Sequence, residues 1–340
     1  MISDKKVIRV AVDAMGGDYA PVEVIKGIVA AAQECEVEII LVGPLATLET
    51  ELSEYAISNL PIKCINADEV IKEGEPPAIA LRQKRNASVV VATKLVKNGE
   101  ADAIISAGPT GAVVASALMI LGMAEGIERP IVGGPLFGFS PNTIVMDAGG
   151  NVDCKPFHLL NFAVVGCVYA QKMLNITNPT VALLSVGVEE GKGNELVKES
   201  YPLFQKSGLN FIGNVEGNDI TTGGANVIVC DGFVGNILIK FCEGMGASIA
   251  RWLETNLCGK LPDSEICKIS DNLIALTNTA DMAGGGPLLG VNGVSIVMHG
   301  RSQAQQYTKA VSQAKAVVES GLVDSLNSEL TKIRRQLDNE

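Results

Sequence analysis

Lys192 stands between two glycines in GKGNELVKE (191–199), so its ammonium and the neighbouring backbone N–H groups can converge on an anion. Asn194 then opens a helical pattern as a cap, and Glu195 falls in the first turn, where the helix dipole favours a carboxylate. The plainer alternative is an exposed turn lysine and an ordinary cap. Asp231 ends an apolar strand in CDGFVGN, followed by Gly232 and Asn236. A carboxylate there either orients a substrate or caps the next helix. Arg82, Lys84 and Arg85 crowd into LRQKRNAS (81–88). Such a run is either a solvated face or, on an acidic protein, a docking place for an acidic partner.

Several kinds of chemistry have no material to work with. GxGxxG is absent, which removes the dinucleotide fingerprint, and 187–193 offers a glycine–lysine spacing unlike a Walker A loop. No GxSxG elbow occurs, and His158 and His299 are the only histidines. The eight cysteines form no CxxC pair, so they read as reduced thiols and no metal site is expected. A net charge of −11 excludes a nucleic-acid partner and obliges any anionic substrate to be caught by a local cationic patch.

These residues need a frame. The chain has 340 residues, 47% of them apolar and only 4% aromatic, so small side chains must do much of the packing. Mean hydropathy is +0.27. The most apolar run, 112–124, is too short for a bilayer, which needs about 20 residues. The start MISDKKVIRV has no signal-like apolar stretch, so a cytoplasmic protein is expected. Strands are predicted at 8–12, 38–42, 62–65, 103–106, 131–136, 143–147, 181–185, 227–230 and 294–298. Helices are predicted after Pro21 and at 88–97, 111–123, 158–174, 194–206, 233–257 and 303–319. This alternation implies an α/β/α sandwich around a mostly parallel sheet. Glycines follow many of the strands, at Gly16–Gly17, Gly108, Gly149–Gly150, Gly187 and Gly232, which marks the edge where open α/β sheets bind ligands. The segment 258–283 lacks periodicity and reads as a surface excursion. Helices 111–123 and 158–174, apolar around much of their circumference, suggest a dimer surface.

Taken in order, VAVDAMGGDYAP (10–21), ISAGPTGAVVA (105–115), GGNVDCKPFHLLNFA (149–163), EEGKGNELVKE (189–199), NFIGNVEG (210–217), VCDGFVGN (229–236) and GGGPLLGVNG (284–293), with His299–Gly300, resemble the bacterial phosphate acyltransferases of phospholipid synthesis. The resemblance spans nearly the whole chain. It implies a homodimer with a fold similar to phosphotransacetylases and isocitrate dehydrogenases, one unit over 1–340 with room for two lobes around a cleft. It implies transfer of a fatty acyl group from acyl carrier protein to inorganic phosphate without cofactor or metal, and hand-over of the acyl phosphate to a membrane acyltransferase. Membrane contact would be peripheral at most. Carried onto this chain, Lys192, Asn194, Asp231 and Asn236 become catalytic candidates. Asp13, Gly16, Gly17, Asp18, Gly108, Thr110, Gly111, Asn151, Glu195, Gly232 and His299 become substrate-binding candidates, with Arg82, Lys84 and Arg85 meeting the carrier. The chain departs from the family at Pro109, at Ala148–Gly149–Gly150 and at Val297, and 257–282 is more acidic than the basic hairpin of some relatives. A CoA-dependent phosphotransacetylase and a non-catalytic metabolite-binding or scaffold protein are the competing expectations.

Overall fold

The computed structural model describes residues 7–338, except the side chains of 280, 281 and 336–338. The opening hexapeptide and the acidic side chain of Asp281 lie outside the described residues. Among the described residues eleven strands form: β1 (Ile8–Asp13), β2 (Val37–Gly43), β3 (Ile62–Asn66), β4 (Ala103–Ser106), β5 (Gly133–Pro135), β6 (Ile144–Met146), β7 (Val181–Leu184), β8 (Phe211–Val215), β9 (Val227–Val229), β10 (Gly286–Pro287) and β11 (Val294–Val297). The chain divides into two compact units, 1–124 with 283–324, and 125–282 with 325–340.

The first unit is built on a six-stranded sheet ordered β10–β11–β4–β1–β2–β3, parallel except for β10. Val10, Ala11 and Val12 are wholly buried in β1 because helices cover both faces of a parallel sheet. Ala11 packs with Val89, Val90 and Ala92 of helix Ser88–Lys97 on one face. Helices Val22–Glu34 and Ala304–Ser320 cover the other. They touch at Gly27, where a Cβ would come within 2.3 Å of the Ala304 carbonyl oxygen.

The second unit holds a five-stranded sheet ordered β5–β6–β9–β7–β8, parallel except for β5. Helix Pro156–Met173 lies against it with every residue from Leu159 to Ala170 buried. Its apolar circumference is therefore spent inside its own unit, and it does not supply the spare dimer surface anticipated from the sequence. Helix Gly232–Leu257 packs its Val234, Leu238 and Cys242 on the opposite face of the sheet. Its other side is bare: Phe233, Ile237, Phe241, Met245 and Trp252 are all exposed. By length and composition alone it is the one helix among the described residues that could cross a bilayer. Segment 258–283 is mostly helical, with helix Asp263–Thr277 packed on Gly232–Leu257. Strand β8 escaped the sequence pattern because Gly213 and Asn214 interrupt its apolar run.

Candidate active site

Each sheet reverses its winding order once, and the crevice at such a reversal is where α/β sheets bind ligands. In the first unit it lies between β1 and β4. Asp13 and Ser106 end those strands, and the Ser106 hydroxyl donates to Asp13 Oδ2 at 2.7 Å. The Met15 N–H donates to Asp13 Oδ1 at 3.2 Å, and the Gly108 N–H donates to Ser106 Oγ at 3.1 Å. Burial raises the Asp13 carboxyl above the ordinary range, against the pull of these hydrogen bonds. The Tyr307 hydroxyl donates to the Gly16 carbonyl at 3.0 Å, tying helix Ala304–Ser320 to the glycine turn. Within this unit Asp13, Gly16 and Gly108 line a cavity of only about 10 Å³, and Val89 and Val113 close it. Gly17 takes φ +114°, a backbone that favours glycine. Asp18 is exposed and its N–H donates to the Gly300 carbonyl at 2.7 Å, beside His299. Thr110 and Gly111 open a short helix nearby and are exposed.

The corresponding crevice of the second unit, between β9 and β7, is open. A cavity of about 290 Å³ sits at those strand ends, walled by Leu159, Leu184, Leu196, Val197 and Val234. Asn194 and Asp231 stand at its rim. Both are helix caps: Asn194 Oδ1 accepts from the Val197 N–H and Asp231 Oδ1 from the Val234 N–H, each at 2.9 Å. Glu195 follows in the first helical turn and is exposed. Lys192 is exposed on the loop before it and does not line the cavity. Its N–H donates to the Glu189 carbonyl, which also accepts from Asn214 Nδ2 at 2.9 Å. Asn214, absent from the sequence-based candidates, thus holds the lysine loop.

Asp147 is the second overlooked residue. It directly follows β6 and is buried, and its carboxylate accepts from the N–H groups of Val132, Gly150 and Asn151 and from Asn151 Nδ2, at 2.6 to 3.1 Å. Burial raises its pKa while those donors oppose the rise. Gly235 lets helix Gly232–Leu257 reach this turn, because a Cβ there would sit 1.9 Å from the Asp147 carbonyl oxygen. Asn236, exposed, borders the same turn at Gly149. Beside Asn151 opens a second cavity of about 200 Å³, lined by Arg129, Lys155, His158 and Asn161 as well as Glu128 and Asp153. The Lys155 N–H donates to His158 Nδ1 at 3.1 Å, which leaves the neutral imidazole's proton on Nε2, 3.5 Å from Glu128 Oε2. Asn151 lines this cavity and Asp231 the first, and the N–H of Gly232, next to Asp231, donates to the Asn151 carbonyl at 2.7 Å. Cys154 is close by, but burial and the neighbouring carboxylates push its thiol up to about 11, which disarms it as a nucleophile.

In the basic tract, Lys84 Nζ donates to Glu75 Oε1 at 2.6 Å and to the Val70 carbonyl at 2.8 Å, so this ammonium is committed to its own fold. Arg82 and Arg85 are exposed.

A model of the fatty acid synthesis protein family matches residues 8–325. The phosphate acyltransferase of Desulforamulus reducens is 46% identical over 329 residues, covering 95% of this chain and 98% of that protein. That of Pelotomaculum thermopropionicum is 44% identical over 333 residues, 96% of each. The chain belongs to the phosphate acyltransferase family. It is accordingly an enzyme of acyl-group transfer. Among solved structures it resembles a phosphotransacetylase from Streptococcus pyogenes, with a TM-score of 0.61 and 18% identity over 92% of this chain and 95% of that one. A branched-chain phosphotransacylase from Enterococcus faecalis gives 0.58 and 15% over 92% and 99%. At such identity the likeness is one of fold.

Proposed function

We propose that this enzyme moves a fatty acyl group from the thioester of acyl carrier protein to inorganic phosphate, in the cytoplasm, and that its acyl phosphate passes to a membrane acyltransferase. The observation that carries this reading is that one unit holds both an apolar cavity, with Asp231 on its lining, and a polar one with Arg129 and Lys155, and that Gly232 beside Asp231 is hydrogen-bonded to Asn151 of the second. An acyl chain and a phosphate have those two chemistries, and transfer requires them side by side. A phosphate oxygen attacks the thioester carbonyl carbon, the carbon–sulfur bond breaks, and the departing thiolate takes a proton, since its thiol has a pKa of about 8.5. The nucleophile is already an anion, so the protein's work is to hold it and to stabilise the oxyanion. Lys192 offsets the repulsion between those negative charges, and Asn194 or Asn236 donates to the oxyanion. The bare stripe on helix Gly232–Leu257 supports a two-fold dimer, in which a second copy covers it.

Purified protein given long-chain acyl carrier protein and phosphate should release free thiol and yield a product trapped by hydroxylamine. Release that does not depend on phosphate would sink the reading. A preference for acyl-CoA over the carrier would move the enzyme toward the phosphotransacetylases. Light scattering at micromolar concentration should report two copies.

A further inference from the structure

The cavity between β7 and β9 is unusual in what surrounds it. Its walls are aliphatic, contributed by Leu159 and Leu184 from below and by Leu196 and Val234 from the first turns of two helices. The one ionised group on its lining is the Asp231 carboxylate. A phosphate placed there would meet a like charge among apolar side chains, where repulsion is screened far less than in water. The neighbouring cavity, where Arg129 and Lys155 offset Glu128 and Asp153, offers a phosphate the cations that this one lacks. Ser185, in the wall, has a buried hydroxyl without a hydrogen-bond partner. Such a group is costly to leave unpaired, and a carbonyl brought alongside would relieve it once the hydroxyl turns toward the cavity.

We propose that this cavity takes the acyl chain with its carbonyl at Ser185 and its far methylenes running on to Leu196 and Val234, and that these two side chains limit the chain length the enzyme accepts. The assignment rests on the acyl-transfer reading above for its choice of ligand, but it can be tested without turnover. Leu196 and Val234 face the same space from different helices, so a larger side chain at either position narrows it. In an apolar pocket each methylene that is gained or refused shifts affinity on the order of tenfold or more.

The probe is a fluorescent polyene fatty acid, displaced by saturated fatty acids of short and long chain. Val234→Phe and Leu196→Phe should weaken displacement by the long acid on the order of tenfold while leaving the short acid within about threefold. Leu196→Ala should shift the balance toward the longer acid, and it carries the test if a phenylalanine variant fails to fold by circular dichroism. Two results overturn the proposal: a parent protein that binds no fatty acid, or folded variants that keep the parent's chain-length order. Insensitive variants would place binding elsewhere, for instance on the bare face of helix Gly232–Leu257. Turnover is measured in parallel. Chain sorting without acyl phosphate formation leaves this cavity assignment standing and removes the transfer reading. Acyl phosphate formation with unchanged chain order does the reverse.

Discussion

The two switch-point crevices use one device for different ends. Each unit places an aspartate where an apolar strand stops and glycine follows, Asp13 as the last residue of β1 and Asp231 two residues after β9. Asp13 is buried and bonded to Ser106, and its crevice shrinks to about 10 Å³. Asp231 keeps one oxygen on its helix, and its crevice opens to about 290 Å³. The difference lies in what the partner strand ends with. Ser106 reaches across to the carboxylate, whereas Leu184 and Ser185 do not. An aspartate–glycine turn therefore marks a strand end, and its neighbours decide whether a ligand fits beside it.

That contrast can be broken by substitution. Asp13→Ala strips the acceptor from the Ser106 hydroxyl and the Met15 N–H inside a closed site, so urea unfolding should show a loss of about 2–4 kcal/mol. Asp231→Ala removes a cap and should cost about 1 kcal/mol. Equal losses would mean the two crevices are not built differently.

The next largest effect belongs to the second unit. Arg129→Ala with Lys155→Ala should raise KM for phosphate on the order of 10 to 100-fold, with an unchanged melting temperature. A shift in KM for the acyl donor alone would give these cations to the carrier instead. On the first unit, Arg82→Glu with Arg85→Glu should raise KM for the carrier by up to about tenfold. Lys84→Ala should register in thermal melts before it registers in KM, because its ammonium already serves Glu75 and Val70.

The smallest effect concerns protons. Burial raises the Asp13 pKa in the folded protein above its unfolded value of about 3.9. The folded state then binds its proton more readily, so this group adds stability as pH falls through the folded pKa. That contribution is complete below the unfolded pKa and lost as pH rises again. Stability of the wild type relative to Asp13→Asn should therefore improve between neutral pH and about pH 4, as read from urea midpoints. The opposite slope would mean that the hydrogen bonds outweigh burial and depress the pKa.

Sequence alone was enough for the alternating α/β plan, because apolar period and glycine stops act over a few residues at a time. Strands β1, β4 and β7 and helices Ser88–Lys97 and Gly232–Leu257 fall within a residue or two of where periodicity puts them. The caps at Asn194 and Asp231 were equally legible, since a cap bonds a residue three positions away. Helix Asp263–Thr277 was not, because polar and acidic residues break its apolar run, and its apolar side is spent against helix Gly232–Leu257. Nor was the burial of helix Pro156–Met173, whose apolar circumference suits a core as well as an interface. Asp147 bonds Gly150 and Asn151, three and four positions on, a local turn that could have been read, whereas Ser106, Asn214 and Arg129 owe their place to distant residues. Their partners lie up to 93 positions away or face them only across a cavity, and such distances close only when the sheets assemble. Which glycine turn shuts on itself and which opens was likewise decided by side chains on neighbouring strands, brought together by tertiary structure alone.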